Sequence, residues 1–135
     1  MRKWLALCLL LFLSVASGCG FPQAKGGHTE TFYRMTDAVG REVVFAKKPE
    51  RIIILAPSFL NIMHAVGGDF IAWADSPGDK APSYAAGKNT VGYTFQVNAE
   101  AVISEKPDLV IGLHGLHDRF TEVMKQNGIP FMLLS

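Results

Sequence analysis

Four short apolar runs govern what this chain can fold into: Ile52-Ile53-Ile54-Leu55, Phe70-Ile71-Ala72-Trp73-Ala74, Leu109-Val110-Ile111-Gly112 and Phe131-Met132-Leu133-Leu134. Each is too short for an independent helix, and unbroken apolarity over so few residues is the pattern of a strand buried on both faces. Three of the runs close at residues suited to turns: Ala56-Pro57-Ser58, Asp75-Ser76-Pro77-Gly78 and Leu113-His114-Gly115. Helical spacing lies between them. Phe59 to Val66 stops at Gly67-Gly68. Asn98 can cap a helix carrying Ala101-Val102-Ile103, which Lys106-Pro107 ends. Asp118 to Asn127 puts Phe120, Val123 and Met124 on one side and closes at Gly128. Thr36 to Phe45 reads as an Asp-x-x-Gly turn feeding a further strand, and residues 79–90 as a polar loop. Alternating strands and helices imply an α/β lobe with a mostly parallel sheet flanked by helices and right-handed crossovers.

The first residues belong to a different kind of segment. Met1-Arg2-Lys3 precede an apolar run from Trp4 to Leu13, and small residues follow as Ser14-Val15-Ala16-Ser17-Gly18-Cys19. A basic start, a short apolar centre and a small-residue end make a secretory signal. The run is about half the ~20 residues a spanning helix requires. Ala16-Ser17-Gly18-Cys19 resembles a bacterial lipobox, in which the cysteine is lipidated and becomes the mature N-terminus. An ordinary signal peptide cut nearby is the competing reading. The expected organisation is therefore a signal over 1–18, a flexible tether over 19–35 with Gly26-Gly27 and a solvated His28, and a globular lobe over 36–135. Such a protein would lie outside the cytoplasm, anchored to the membrane by lipid on Cys19.

Composition narrows the function. The formal net charge is +1, and loss of Arg2 and Lys3 with the signal takes it to −1, far from the basic excess of a nucleic-acid binder. Cys8 would leave with the signal and Cys19 would carry lipid, so a disulfide framework and a cysteine metal site are both excluded from the lobe. There is no Gly-x-Ser-x-Gly elbow, no phosphate-binding Gly-x-x-x-x-Gly-Lys and no Gly-x-Gly-x-x-Gly.

In parallel sheets ligands bind beyond the carboxyl ends of the strands. That rim would collect Pro57, Ser58 and Phe59 after the first apolar run, and Asp75-Ser76 after the second. Tyr93, Thr94 and Phe95 would join them from a loop before the second helix, and His114, His117 and Arg119 after the third run. His114-Gly-Leu-His117-Asp118 is the one enzyme-like signal: two imidazoles three apart beside a carboxylate can hold a transition metal. Contact with a bound ligand and solvated residues at a helix start are the other readings of the same five residues, and Asp118 equally suits a helix cap. His64, midway along the first helix, reads as a core-edge histidine.

Longer motifs carry a resemblance. Thr36-Asp37-Ala-Val-Gly40-Arg41, Pro49-Glu50-Arg51-Ile52-Ile53 and Glu105-Lys106-Pro107-Asp108-Leu109-Val110-Ile111 together resemble the iron-siderophore, haem and cobalamin substrate-binding proteins of ABC importers. The likeness runs from about residue 36 to 135. It implies the N-terminal lobe of a class III periplasmic-binding protein, in which two α/β lobes joined by one long helix hold ligand between them. The second lobe and linking helix would lie outside these residues. It further implies a monomer with no catalytic residues or resident cofactor, whose cargo is a ferric siderophore, haem or cobalamin and whose partners are an ABC permease and its ATPase subunits. Val91-Gly92-Tyr93 resembles the loop in which the haem-binding branch places a tyrosine on iron, and a phenolate suits ferric iron. Two departures stand out. Leu60-Asn61 occupies the place where family members often have Thr-Glu, and Lys88-Asn89-Thr90 the place of a glutamate that pairs with permease arginines, leaving Asp79 or Glu100 as substitutes. A metal-dependent enzyme or metal-ion-binding protein built on His114 and His117 is the alternative.

Overall fold

The computed structural model describes residues 32–78 and 80–135, so the signal, Cys19, most of the tether with His28, and Asp79 lie outside the described residues. In chain order the elements are β1 (Tyr33–Thr36), β2 (Glu42–Phe45), β3 (Ile52–Ile54), α1 (Pro57–Ala65), β4 (Ala72–Asp75), a 3-10 turn (Ser83–Ala85), β5 (Asn89–Tyr93), β6 (Gln96–Val97), α2 (Ala99–Ser104), β7 (Leu109–Leu113), a second 3-10 turn (Asp118–Phe120), α3 (Thr121–Gln126) and β8 (Phe131–Leu134). Six strands form one sheet in the order β6-β5-β4-β3-β7-β8, and β1 pairs with β2 in a separate two-stranded ribbon. Every pairing in the large sheet is parallel except β5 with β6.

Period-two alternation sorts the sheet's side chains onto two buried faces. Ile54, Trp73, Ile111 and Met132 pack with Phe59 and Leu60 of α1 and with Val43 and Phe45 of β2. Ile53, Leu55, Ala72, Ala74, Val91, Val110 and Leu133 pack on the other face with Val102 of α2 and with Phe120 and Met124. The four apolar runs are thus strands buried on both sides. Asn98 caps α2 as its position implied: its side chain accepts from the Glu100 N–H at 3.0 Å and the Ala101 N–H at 3.1 Å.

The recurring motifs turn out to be fasteners. Asp108, just ahead of β7, accepts from the Glu50 N–H at 3.0 Å and the Arg51 N–H at 2.8 Å, while the Arg51 guanidinium donates to the carbonyls of Lys106 at 3.1 Å and Glu105 at 2.6 Å. This exchange locks the start of β3 beside the start of β7. The Asp37 carboxylate, with no exposed side-chain area, takes the Arg41 guanidinium at 2.6 Å and the N–H groups of Val39 and Arg41 at 3.1 and 2.8 Å. The turn so formed docks on the sheet through the Ala38 N–H and the Leu133 carbonyl, 2.8 Å apart.

Four expectations need correction. Tyr33–Thr36, assigned to the tether and the turn after it, is a strand held by pairing with Glu42–Phe45. The polar loop over 79–90 contains the Ser83–Ala85 turn and the start of β5. The loop at Gly92–Phe95 is the tip of a β5–β6 hairpin. His64 is exposed on α1, stacked on Tyr84 with ring centroids 4.2 Å apart, and not at the edge of the core.

Candidate functional site

Chain order runs outward from β3 in two directions: β4 and β5 to one side, β7 and β8 to the other. The carboxyl ends of β3 and β7 therefore flank a topological switch point, where open α/β sheets leave a crevice. The rim there is built from the start of α1 after β3, Asp75-Ser76 after β4, the β5–β6 hairpin, and the turn following β7.

Hydrogen bonds tie three of these segments into one unit. The Thr94 N–H donates to the Asp75 carbonyl at 2.8 Å, and the Thr94 hydroxyl donates to the same oxygen at 3.1 Å. The His117 ring bridges the next pair: Nδ1 accepts from the Leu113 N–H at 2.9 Å, and Nε2 lies 2.9 Å from the Thr94 carbonyl. Arg119 donates from Nη2 to the Phe95 carbonyl at 2.9 Å. Gly92 makes the hairpin possible, since its φ is +102° and a Cβ there would lie 2.6 Å from the Gln96 carbonyl oxygen.

With its backbone so held, the hairpin turns its aromatic side chains outward. Tyr93 is 49% exposed and Phe95 68%, while Thr94 between them is buried. The two rings together leave an exposed apolar patch on this rim. Ser58 and Arg119 are exposed on the same rim and Pro57 is half-buried. A cavity of about 290 Å³ sits beside them, lined by Pro57, Asn61, Trp73, Asp75, Ser76 and Lys80.

Three candidates fall elsewhere. Phe59 is buried and lines a separate apolar groove of about 470 Å³ with Ile62, Met63, Val66, Ile111 and Leu134. Thr94 is only 6% exposed and spends its hydroxyl on Asp75. His117 is fully buried, with both ring nitrogens engaged. Burial pushes the His117 pKa below the ordinary histidine value, against the opposing pull of the Thr94 carbonyl. His114 stays on the surface, its Nδ1 2.7 Å from Asp118 Oδ1. The two imidazoles consequently do not converge, and the metal-chelating reading of His114 and His117 fails on geometry. Among the described residues no group of three or more His, Cys, Asp or Glu is placed to hold a metal ion. Asp118 does not cap its own helix; its Oδ2 accepts the Gly115 N–H at 2.5 Å. Burial opposes ionisation there, yet the His114 ring and the Gly115 N–H hold the carboxyl below its ordinary range. Asn61, Trp73 and Lys80 were not identified from the sequence. Trp73 is a bulky aromatic set between Ala72 and Ala74 in β4, the one signal that could have flagged it.

No family model matches the chain. The ABC transporter substrate-binding lipoprotein YvrC of Bacillus subtilis (strain 168) is 33% identical over 132 residues, covering 93% of this chain and 41% of the relative. Among solved structures, Staphylococcus aureus SirA complexed with staphyloferrin B matches with a TM-score of 0.66 at 17% identity, over 76% of this chain and 36% of that one. The chain shares its fold with one lobe of these substrate-binding proteins. Two further solved structures share the fold. The iron-uptake substrate-binding protein PiuA of Streptococcus pneumoniae gives a TM-score of 0.65 at 21% identity, over 78% of this chain and 37% of that one. The haem-binding protein HmuT gives 0.62 at 23% identity, over 76% and 34%. The chain spans about two-fifths of the length of YvrC and about a third of these solved chains.

Proposed function

We propose that this chain supplies the ligand-binding face of an extracytoplasmic solute-binding component of an ABC importer, with an iron complex as cargo. The observation that carries this reading is the hairpin on the rim, which offers the Tyr93 and Phe95 side chains to solvent while its backbone is tied to the end of β4 and to the turn after β7. Ser58, Pro57, His114 and Arg119 complete the face. The likeness to SirA complexed with staphyloferrin B, to the iron-uptake protein PiuA and to the haem-binding protein HmuT supports a ferric siderophore or haem. If haem is the cargo, the Tyr93 phenol is the iron-ligating side chain and Phe95 packs against the macrocycle. Permease and ATPase subunits are the partners, and Cys19 carries the lipid that keeps the protein at the membrane. Replacing Cys19 with Ala should move the protein out of the membrane fraction; retention on membranes after a carbonate wash contradicts the anchor.

The direct test titrates ferric haem, a ferric tris-catecholate and cyanocobalamin into the chain while following absorbance and heat. A single lobe covers one face of a ligand, whereas a good site buries most of it. Binding of one iron complex is expected, well short of the roughly 12 kcal/mol of a nanomolar complex. Binding of cyanocobalamin alone would replace iron with a corrinoid as the cargo, and binding of none of the three would overturn the proposal.

A further inference from the structure

The hairpin is held to β7 by a residue that cannot touch the ligand. We infer that His117 is the positioning residue of the ligand-facing hairpin, holding the Thr94 carbonyl so that Tyr93 and Phe95 stand at the rim. The inference rests on the reading of that hairpin as the element that meets cargo.

His117 has a backbone donor on one side and a backbone acceptor on the other. Nδ1 faces the Leu113 N–H and Nε2 faces the Thr94 carbonyl, each at 2.9 Å. Only the neutral Nε2–H tautomer satisfies both, because a proton on Nδ1 would oppose the Leu113 N–H. The ring is fully buried, so water cannot replace either bond. Its seat is shaped for it as well: a Cβ on Gly112 of β7 would come within 3.0 Å of His117 Cβ and 2.9 Å of the Phe131 ring. Charge reaches the ring from Arg119 and Asp118, opposite in sign and both on its own turn, while the hairpin and β7 meet it through backbone groups. Arg119 gives the hairpin a second tie at the Phe95 carbonyl, but through an exposed side chain in competition with water. The buried tie sets the position and the exposed one follows it.

Two substitutions separate the ends of the bridge. In His117→Asn the amide oxygen can stand at the Nδ1 position and keep Leu113, but the side chain is too short for Thr94. In His117→Gln the amide nitrogen can stand at the Nε2 position and keep Thr94 while losing Leu113. Amide hydrogen exchange by NMR on the full chain reads the Leu113 end, and the Thr94 carbonyl carbon shift reads the other. The Leu113 amide should exchange faster in His117→Gln by about fivefold or more, the factor one net hydrogen bond is worth, and should stay near its original rate in His117→Asn. The Thr94 N–H donates to the Asp75 carbonyl and loses no bond of its own, so the loss at the Thr94 carbonyl should show as an upfield carbonyl shift in His117→Asn and not in His117→Gln. Equal Thr94 carbonyl shifts in both variants, or acceleration spread evenly over β3 and β7, would overturn the inference. Should either variant not fold, the unsubstituted chain still decides: long-range nitrogen–proton correlations must show a bare Nδ1 and a protonated Nε2 at neutral pH, and the opposite tautomer or an imidazolium contradicts the bridge. Ferric haem titrated into the same samples distinguishes the two levels. Weaker uptake in His117→Asn than in His117→Gln supports positioning of a binding element. Absence of uptake in every form, with the exchange pattern intact, overturns the cargo reading and leaves His117 as the hairpin's anchor.

Discussion

The two ends of the sheet are built by different rules. At the amino ends of β3 and β7, the Asp108 carboxylate accepts from the Glu50 and Arg51 N–H groups and the Arg51 guanidinium donates to the Glu105 and Lys106 carbonyls, so both side chains are spent on holding strands together. At the carboxyl ends the backbone is tied just as firmly, by Thr94, His117 and Arg119, but the Tyr93, Phe95 and Ser58 side chains are left pointing at solvent. One end uses its side chains to fasten the fold. The other is fastened by buried or flanking groups so that different side chains remain free. Motifs at the first kind of end report the fold, and the proposed function places the choice of cargo at the second.

The largest effect should come from the fastening end. Asp108→Ala removes the acceptor of the Glu50 and Arg51 N–H groups, with an expected loss of about 2 kcal/mol and a fall of roughly 10 °C in melting temperature. The folded fraction should bind ferric haem or a ferric tris-catecholate as the original chain does. A variant that melts normally but no longer binds would erase the distinction between the two ends.

Acid should loosen the His117 bridge and the Asp37 turn at different pH. The His117 pKa is lowered by burial from its ordinary 6.5, so the unfolded chain takes up the proton first and stability falls as pH drops below about 6.5. Burial raises the Asp37 carboxyl, but the hydrogen bonds from Arg41 and Val39 outweigh it and leave the group below its ordinary 3.8, so its contribution is present above that value and is lost as pH falls beneath it. Thermal melts from neutral pH downward should show a first loss in mild acid and a second in strong acid. The first should disappear in His117→Gln, whose side chain does not titrate. A first loss that persists in that variant would place the acid-sensitive group elsewhere.

How far the sequence revealed these features follows from what each one leaves in the pattern. The apolar runs, the Asn98 cap and the glycine stops are local signals, and each became the expected element. Asp108 with Arg51 and Asp37 with Arg41 were legible as family motifs, although their structural purpose was not. β1 was missed because all four of its residues are exposed, so it has no apolar period and exists only through pairing with β2. His117 was misread for a related reason: three residues from His114, it looks like a surface chelator, and only the turn after β7 sends one imidazole inward and the other out. Trp73 and Lys80 reach the rim cavity through β4 and the segment after it, a juxtaposition that no spacing along the chain encodes.

The rim aromatics carry the smallest expected effect on stability and the largest on binding. Tyr93→Ala and Phe95→Ala replace exposed side chains, so each should leave unfolding within about 0.5 kcal/mol of the original chain. The decisive measurement is a calorimetric titration of ferric haem and of a ferric tris-catecholate into the original chain and the doubly substituted Tyr93→Ala/Phe95→Ala chain, alongside matched thermal melts. The account predicts coincident melts, measurable binding of one iron complex by the original chain, and none by the variant. Coincident melts with equal binding by both chains would contradict it, because the cargo would then be held without the hairpin that this end of the sheet is built to present.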